Sequence, residues 1–230
     1  MTDPTPPAPT HRPNRVDPWS ALHAVPHRGH LMGNRGILHV GQHVVRPWAH
    51  KAWVHCVLDA QFQKRKPFSL SSYSELFFLD EATALAAGRR PCRTCQRARH
   101  DLFNTLWTQA NAGEPGAGQG AGAGRSRVPI STIDNTLHAE RIGPGKAKRT
   151  TDAILDATIH SLPAGSMFAH AGRAWLVWPT GLLPWSFSGY QPAEPLPPGT
   201  TVQVLTPASI VHTLRAGYLP LVHPSATQPD

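Results

Sequence analysis

Cysteine is scarce in this chain: three residues in 230. So small and odd a number excludes a disulfide framework. Charged residues make up only 16%, which argues against a disordered or coiled-coil chain. No apolar run approaches the roughly 18 residues that a membrane-spanning helix needs. The N-terminus is Pro-rich and polar and lacks an apolar h-region, so the expected location is the cytoplasm, with no membrane partner. Acidic residues are also few, with 14 Asp and Glu against 22 Lys and Arg and a net charge of +8. That imbalance favours polyanionic partners such as DNA, RNA, nucleotides or acidic lipid surfaces. Internal repeats are absent. So are Gly-x-Ser-x-Gly, His-Glu-x-x-His, the Rossmann fingerprint and the Gly-Lys-Ser/Thr of a P-loop, which removes the commonest hydrolase, metalloprotease and nucleotide-binding signatures.

What is present is apolar and broken into short pieces. Hydrophobic residues reach 40%, with 24 Pro and 19 Gly, which predicts a real core built from many short elements. Residues 1–17 are rich in Pro and Thr and read as a disordered tail. Residues 18–110 form the first domain. Residues 111–126, almost all Gly and Ala, read as a flexible loop. Residues 127–225 form a second domain, a helix followed by β-rich structure. The expected fold class is α+β: a zinc-knuckle N-terminal domain and a small β-rich C-terminal domain, with a partly open barrel as one form of the latter.

Local patterns fill in the elements. Trp53–Leu58 reads as a strand, and Phe68–Leu70 as another. Gly33-Asn34-Arg35-Gly36 reads as a tight loop, since Asn-Arg is a poor core pair. Leu76–Leu79 is an apolar run that stops at Asp80, a good N-cap with Glu81 after it. A short helix over Ala82–Ala87 then ends at Gly88. Leu102, Phe103, Leu106 and Trp107 share one face of a helix over 96–109. A further helix is expected from Ser131. Strands are expected at Ser166–His170, Ala174–Trp178 and Thr201–Leu205, and a last helix at Ser209–Ala216.

The sharpest signal is Cys92-Arg93-Thr94-Cys95 with Cys56 upstream. A C-x-x-C turn supplies two thiolates from one knuckle, and a helix start behind it stabilises their charge. Arg89, Arg90, Arg93 and Arg97 add positive potential. Cys56, on a strand, is the third expected Zn2+ ligand. For the fourth, His50 ranks first, at a separation from Cys56 that a hairpin or loop closes. His55, beside Cys56 on a strand, points the other way, His100 is carried off by its helix, and Asp134 and His138 remain alternatives.

The segment Phe77-Phe78-Leu79-Asp80-Glu81-Ala82 through Ala86-Ala87-Gly88-Arg89-Arg90-Pro91-Cys92-Arg93-Thr94-Cys95 resembles the second half of the Ada-type zinc domain. There an apolar strand, a short helix ending in Ala-Gly and an Arg-Pro-Cys-x-x-Cys form the knuckle. The resemblance implies that Cys92 and Cys95 are metal ligands, and it implies DNA binding and repair as the setting. It departs from the family in one respect: an upstream pair of Cys is replaced here by Cys56 alone, so a four-thiolate site and methyl transfer do not carry over. The whole chain is also similar to an uncharacterised bacterial family carrying the same Phe-Phe-Leu-Asp-Glu-Ala segment.

Other residues are candidates for contact or chemistry. Arg28, Asn34 and Arg35 sit in a glycine-rich stretch with His39, where backbone and guanidinium groups suit an anion. Lys64, Arg65, Lys66, Arg93 and Arg97 are expected phosphate contacts. Asp134 and His138 stand at i and i+4 beside Glu140 and Arg141, an acid–base arrangement or an ordinary helix-surface pair. Trp175, Trp178, Trp185, Phe187 and Tyr190 suit either a core or a stacking platform. Together these lead to a zinc-containing nucleic-acid-binding protein, with DNA as partner, in repair or processing. Two alternatives stand beside it. One is a nuclease, glycosylase or other hydrolase using His39, Asp134, His138 and Glu140; the other is a zinc-stabilised interaction scaffold.

Overall fold

The computed structural model describes residues 11–58, 66–112, 127–155 and 162–227. Among the described residues, two six-stranded sheets and four α-helices make up the α+β architecture, with a small hairpin beside them. The first sheet contains β1 (Arg15–Val16), β2 (Leu22–His23), β3 (Leu31–Asn34), β6 (Val54–Val57), β7 (Leu76–Phe78) and β8 (Arg90–Pro91), in the order β2-β1-β7-β3-β6-β8. The pairings β1–β7 and β6–β8 are parallel. The hairpin is β4 (His39–Val40) with β5 (His43–Val44). The second sheet is antiparallel throughout. It holds β9 (Thr151–Ile154), β10 (Met167–His170), β11 (Arg173–Trp178), β12 (Gly181–Ser186), β13 (Gly189–Tyr190) and β14 (Thr201–Val204), in the order β13-β12-β11-β10-β14-β9. The helices are α1 (Glu81–Ala86), α2 (Arg97–Ala110), α3 (Ile130–Arg141) and α4 (Ala208–Arg215). Among the described residues no helix is long and apolar enough to cross a membrane.

Helix α1 lies at the centre. Asp80 caps it, accepting from the Thr83 N–H at 2.9 Å. Gly88, at φ +77°, ends it in a conformation that a Cβ disfavours. All six of its residues are buried, and its three alanines, with Leu85, let three cores meet on it. Ala82 and Ala86 join Met167, Leu176 and Leu183 of the second sheet. Ala84 joins Val16, Leu76 and Phe78 of the first. Leu85 joins Phe103 and Trp107 of α2, Ile133 and Leu137 of α3 and Ile210 of α4. The apolar clusters therefore run across the expected boundary at 111–126, and α1 is their common wall. Trp175 and Trp178 are buried in the second sheet, so they fill core and form no stacking platform.

Two local expectations are corrected. Leu31–Asn34 is an inner strand, paired on both sides, so Gly33 and Asn34 of the expected loop are strand and the chain bends only after them, at Gly36. Gly33 is needed there for close packing: a Cβ would stand 2.4 Å from Phe78 Cε2 and 3.1 Å from Arg89. The second error is Phe68–Leu70, which is no strand. Phe68 sits in a turn at φ +62° and its N–H donates to Glu75 Oε2 at 2.9 Å, so a side-chain acceptor replaces a ladder partner.

A three-cysteine candidate metal centre

Strand β6 alternates faces, and this sorts the residues around the site. His55 points inward and is fully buried. Its carbonyl accepts from Gln96 Nε2 at 2.8 Å and from the Cys92 N–H at 2.9 Å. Cys56 points to the other side. The Cys92 N–H bond pins the start of the knuckle to β6, and the Gln96 N–H closes the knuckle on the Cys92 carbonyl at 3.0 Å. Helix α2 starts directly afterwards. Strand β6 and the knuckle thus deliver three thiols to one place.

The sulfurs of Cys56, Cys92 and Cys95 all lie within 4.8 Å of one another, each half-buried. Zn–S bonds of about 2.3 Å in a tetrahedron require sulfurs a little under 4 Å apart, so this donor set fits with small side-chain adjustments. The electrostatics favour a thiolate at Cys92, held down to about 4. The Cys56 thiol donating to it is the largest cause, and the N–H groups of Cys95 and Thr94 add to it. The same bond, with burial, pushes Cys56 up. Burial pushes Cys95 up too, against the Val57 N–H that donates to its sulfur. Without a metal the three thiols share their protons unequally. A divalent cation displaces protons from such a set as it binds.

The expected fourth ligand does not join them: among the described residues the cluster contains no His, Asp or Glu. His50 is exposed and stands near Asp134, Arg141 and Arg89. His55 faces Glu81 across 3.5 Å, and burial pushes it down to about 4, so it is neutral. His100 Nδ1 donates to the Pro91 carbonyl at 3.1 Å. His138 packs edge-on to Trp48 and Trp53.

The acid–base candidates are dispersed. Asp134 is buried in a bidentate pair with Arg90, at 2.8 Å for each bond. His138 Nδ1 lies 3.3 Å from Arg141 Nη2. Glu140 accepts from the backbone N–H and hydroxyl of Ser209, at 3.1 and 2.6 Å, and so caps α4. His39 is buried elsewhere, stacked on Phe68 and 2.6 Å from Ser74 Oγ. Among the expected phosphate contacts, Arg28, Lys66, Arg93 and Arg97 are exposed, and Arg97 stands 3.7 Å from Asp101. Lys64 and Arg65 lie outside the described residues. Asn34 Oδ1 accepts from the Gly36 N–H at 2.7 Å, a turn-forming role. Arg35, expected in a tight loop as an anion contact, is only 4% exposed.

Gln96 and Arg89 were not singled out as site residues by sequence, although both touch the cluster's surroundings. Gln96 follows the knuckle directly, where a side chain naturally reaches back to the preceding strand. Arg89, fully buried, would feel a charge placed on Cys56. Its place in Arg89-Arg90-Pro91 suggested only solvated positive potential.

The fold and the site define a sheet-rich α+β chain whose three half-buried thiols, converging from one strand and one knuckle, could hold a metal ion. No family model, curated protein or solved structure matches the chain.

Proposed function

We propose that the chain is a zinc-containing nucleic-acid-binding protein, with DNA as its partner in repair or processing. The observation that carries this is the convergence of the Cys56, Cys92 and Cys95 sulfurs within 4.8 Å. Soft thiolates in a tetrahedral disposition select zinc among the common divalent ions. Arg93 in the knuckle and Arg97 at the start of α2 are both exposed, and the chain's net charge is +8. Such a surface neutralises phosphates. The likeness of Phe77–Cys95 to the Ada-type half-domain supports the same setting. Zinc, when bound, would lock β6 to the start of α2 and so fix the basic face in one orientation.

The hydrolase reading draws no support from geometry. Asp134, His138, Glu140 and His39 each have a different partner, as described above. An interaction scaffold remains distinguishable because it predicts no salt-sensitive DNA binding.

The test is elemental analysis of protein purified without added metal, beside a Cys92→Ser/Cys95→Ser variant. About one zinc per chain, absent from the variant, is the expected result. Duplex and single-stranded DNA are then titrated at several salt concentrations, with affinity expected to fall log-linearly as salt rises. Well-folded wild-type protein without zinc would sink the metal half of the proposal. Salt-insensitive absence of binding would sink the other half.

A further inference from the structure

A second feature is independent of the cysteines. A cavity of about 220 Å³ opens where the turn after β1, the segment Pro47–Trp53 and the end of α3 meet. Its walls include Arg35, Arg141, Lys146 and Lys148 together with Trp48 and Trp53, and no carboxylate lines it. Arg35 and Arg141 are 4% and 1% exposed. Cations buried this deeply are ordinarily paired with an acid, yet among the described residues neither forms an ion pair. Asp134, the acid whose charge acts on Arg141, is engaged on both oxygens by Arg90.

The donors are only partly used. Arg35 Nη1 donates to Ser20 Oγ at 3.0 Å, and its Nε meets no acceptor. Arg141 donates to the Gly88 and Lys51 carbonyls at 2.7 and 2.6 Å, and its Nε likewise meets none. Arg89, just behind, leaves Nε and Nη2 without acceptors. All three guanidiniums gather on one indole: Arg141 at 3.7 Å, Arg35 at 4.9 Å and Arg89 at 5.5 Å from the Trp53 ring. Cation–π contact offsets part of the cost of burial, but it does not cancel three like charges. Burial pushes Arg35 down to about 10 and Arg141 to about 9.

Trp48 supplies the second half of the site. It is half-exposed at the cavity wall, tilted 47° from Trp53 at 6.2 Å, with the Lys146 ammonium 6.0 Å from its ring. A planar ring can lie on it, while an anion held by Arg35 and Arg141 lies inward. The volume suits one phosphate with one ring system, and not a stretch of strand.

We propose that this cavity binds a single nucleotide unit, its phosphate between Arg35, Arg141 and Lys148 and its base against Trp48. The unit is either a free nucleotide or the phosphorylated end of a strand, and both present the same chemistry. The proposal does not rest on the metal reading.

The test is calorimetric titration of the wild-type protein with four probes: adenosine 5′-monophosphate, adenosine, inorganic phosphate and a 5′-phosphorylated single-stranded tetranucleotide. Zinc content is measured on the same samples, so failure here is separable from failure of the metal centre. The monophosphate is expected to bind at least tenfold more tightly than either phosphate or adenosine alone. Arg35→Met should weaken it more than tenfold. Trp48→Leu, at a half-exposed position that leaves the core intact, should bring the monophosphate down to the affinity of inorganic phosphate. Tighter binding of the tetranucleotide identifies a strand end as the source, and equal or weaker binding a free nucleotide. Equal affinity for monophosphate and phosphate in wild-type protein overturns the base subsite. No binding of any probe at millimolar concentration overturns the proposal, as does unchanged monophosphate binding in both variants.

Discussion

The two ends of α1 solve the same problem in different ways. At the N-terminus two carboxylates, Asp80 and Glu81, are buried and fully engaged. Asp80 accepts from Thr83, from the Tyr190 hydroxyl at 2.8 Å and from the His223 N–H at 3.0 Å. Glu81 takes Arg99 at 2.6 Å, the Tyr218 hydroxyl at 2.5 Å and the Leu221 N–H at 2.8 Å. At the C-terminus the side chains are cations: Arg141 donates to the Gly88 carbonyl and Lys148 to that of Ala86, at 2.7 and 2.5 Å. Both ends obey the helix dipole, acids at the start and bases at the finish. They differ in charge balance. Arg99 neutralises Glu81, whereas carbonyl oxygens give Arg141 and Lys148 hydrogen bonds but at most a partial negative charge. One end is a closed structural joint. The other keeps cations without an ion-pair partner beside an open cavity, and such excess cation suits a ligand better than it suits stability.

The largest effect should come from breaking the closed end. Glu81→Ala removes the acceptor of Arg99, Tyr218 and Leu221 together and unties the segment after α4 from α1. A loss of about 3 kcal/mol is expected, the lower end of the range for halving a buried pair, because Arg99 is part-exposed and can rehydrate. Urea unfolding checks it; a loss below about 1 kcal/mol would show that the joint is not holding α2 and the segment after α4 to α1.

An intermediate effect should appear with pH at the open end. Lys148 is half-exposed as a residue, but its ammonium is turned inward onto Ala86, and burial pushes it down to about 7. Arg141 lowers it further, while Asp17 and Glu140 act the other way. A base whose folded pKa is depressed sheds its proton on folding. Above pH 7 the unfolded chain therefore binds more protons, and stability rises with pH. Between pH 7 and 9 the rise from this one group is at most about 2 kcal/mol. Comparing wild type with Lys148→Met in urea at each pH isolates it from the cysteines. Parallel pH profiles for the two proteins would refute it.

The contrast also explains what was legible in the sequence. Asp80 as an N-cap, Glu81 in the first turn and Gly88 as terminator follow from local rules, and the structure places all three as such. The Cys92–Cys95 knuckle is local too, and Cys56 was reachable because only three cysteines exist. Tertiary facts were not legible. The sequence around Gly33 signals a turn with equal force whether glycine serves a bend or a Phe78 ring pressed on a strand. The convergence of Arg35, Arg89 and Arg141 on Trp53 joins positions far apart in the chain, and no spacing rule connects them. His50 looked like a ligand by proximity to Cys56, but chain distance does not report which side of β6 a side chain reaches.

The smallest effect on stability, and the one that separates the closed joint most cleanly from the cavity beside the other end, belongs to Arg35→Met. Arg35 is as buried as Glu81, so by exposure alone the two substitutions should cost alike. By charge balance they should not. Methionine keeps an unbranched apolar stem against Trp53 and removes a guanidinium that has one hydroxyl partner and no acid. The lost bond to Ser20 and the lost cation–π contact, each about 1 kcal/mol, are offset by relief from burying a like charge beside Arg89 and Arg141. A stability change within about 1 kcal/mol of zero is expected, of either sign, in the same urea assay as Glu81→Ala. A loss as large as that of Glu81→Ala would mean that Arg35 is as much a structural joint as Glu81, and the contrast between the closed joint and the excess charge around the cavity would disappear.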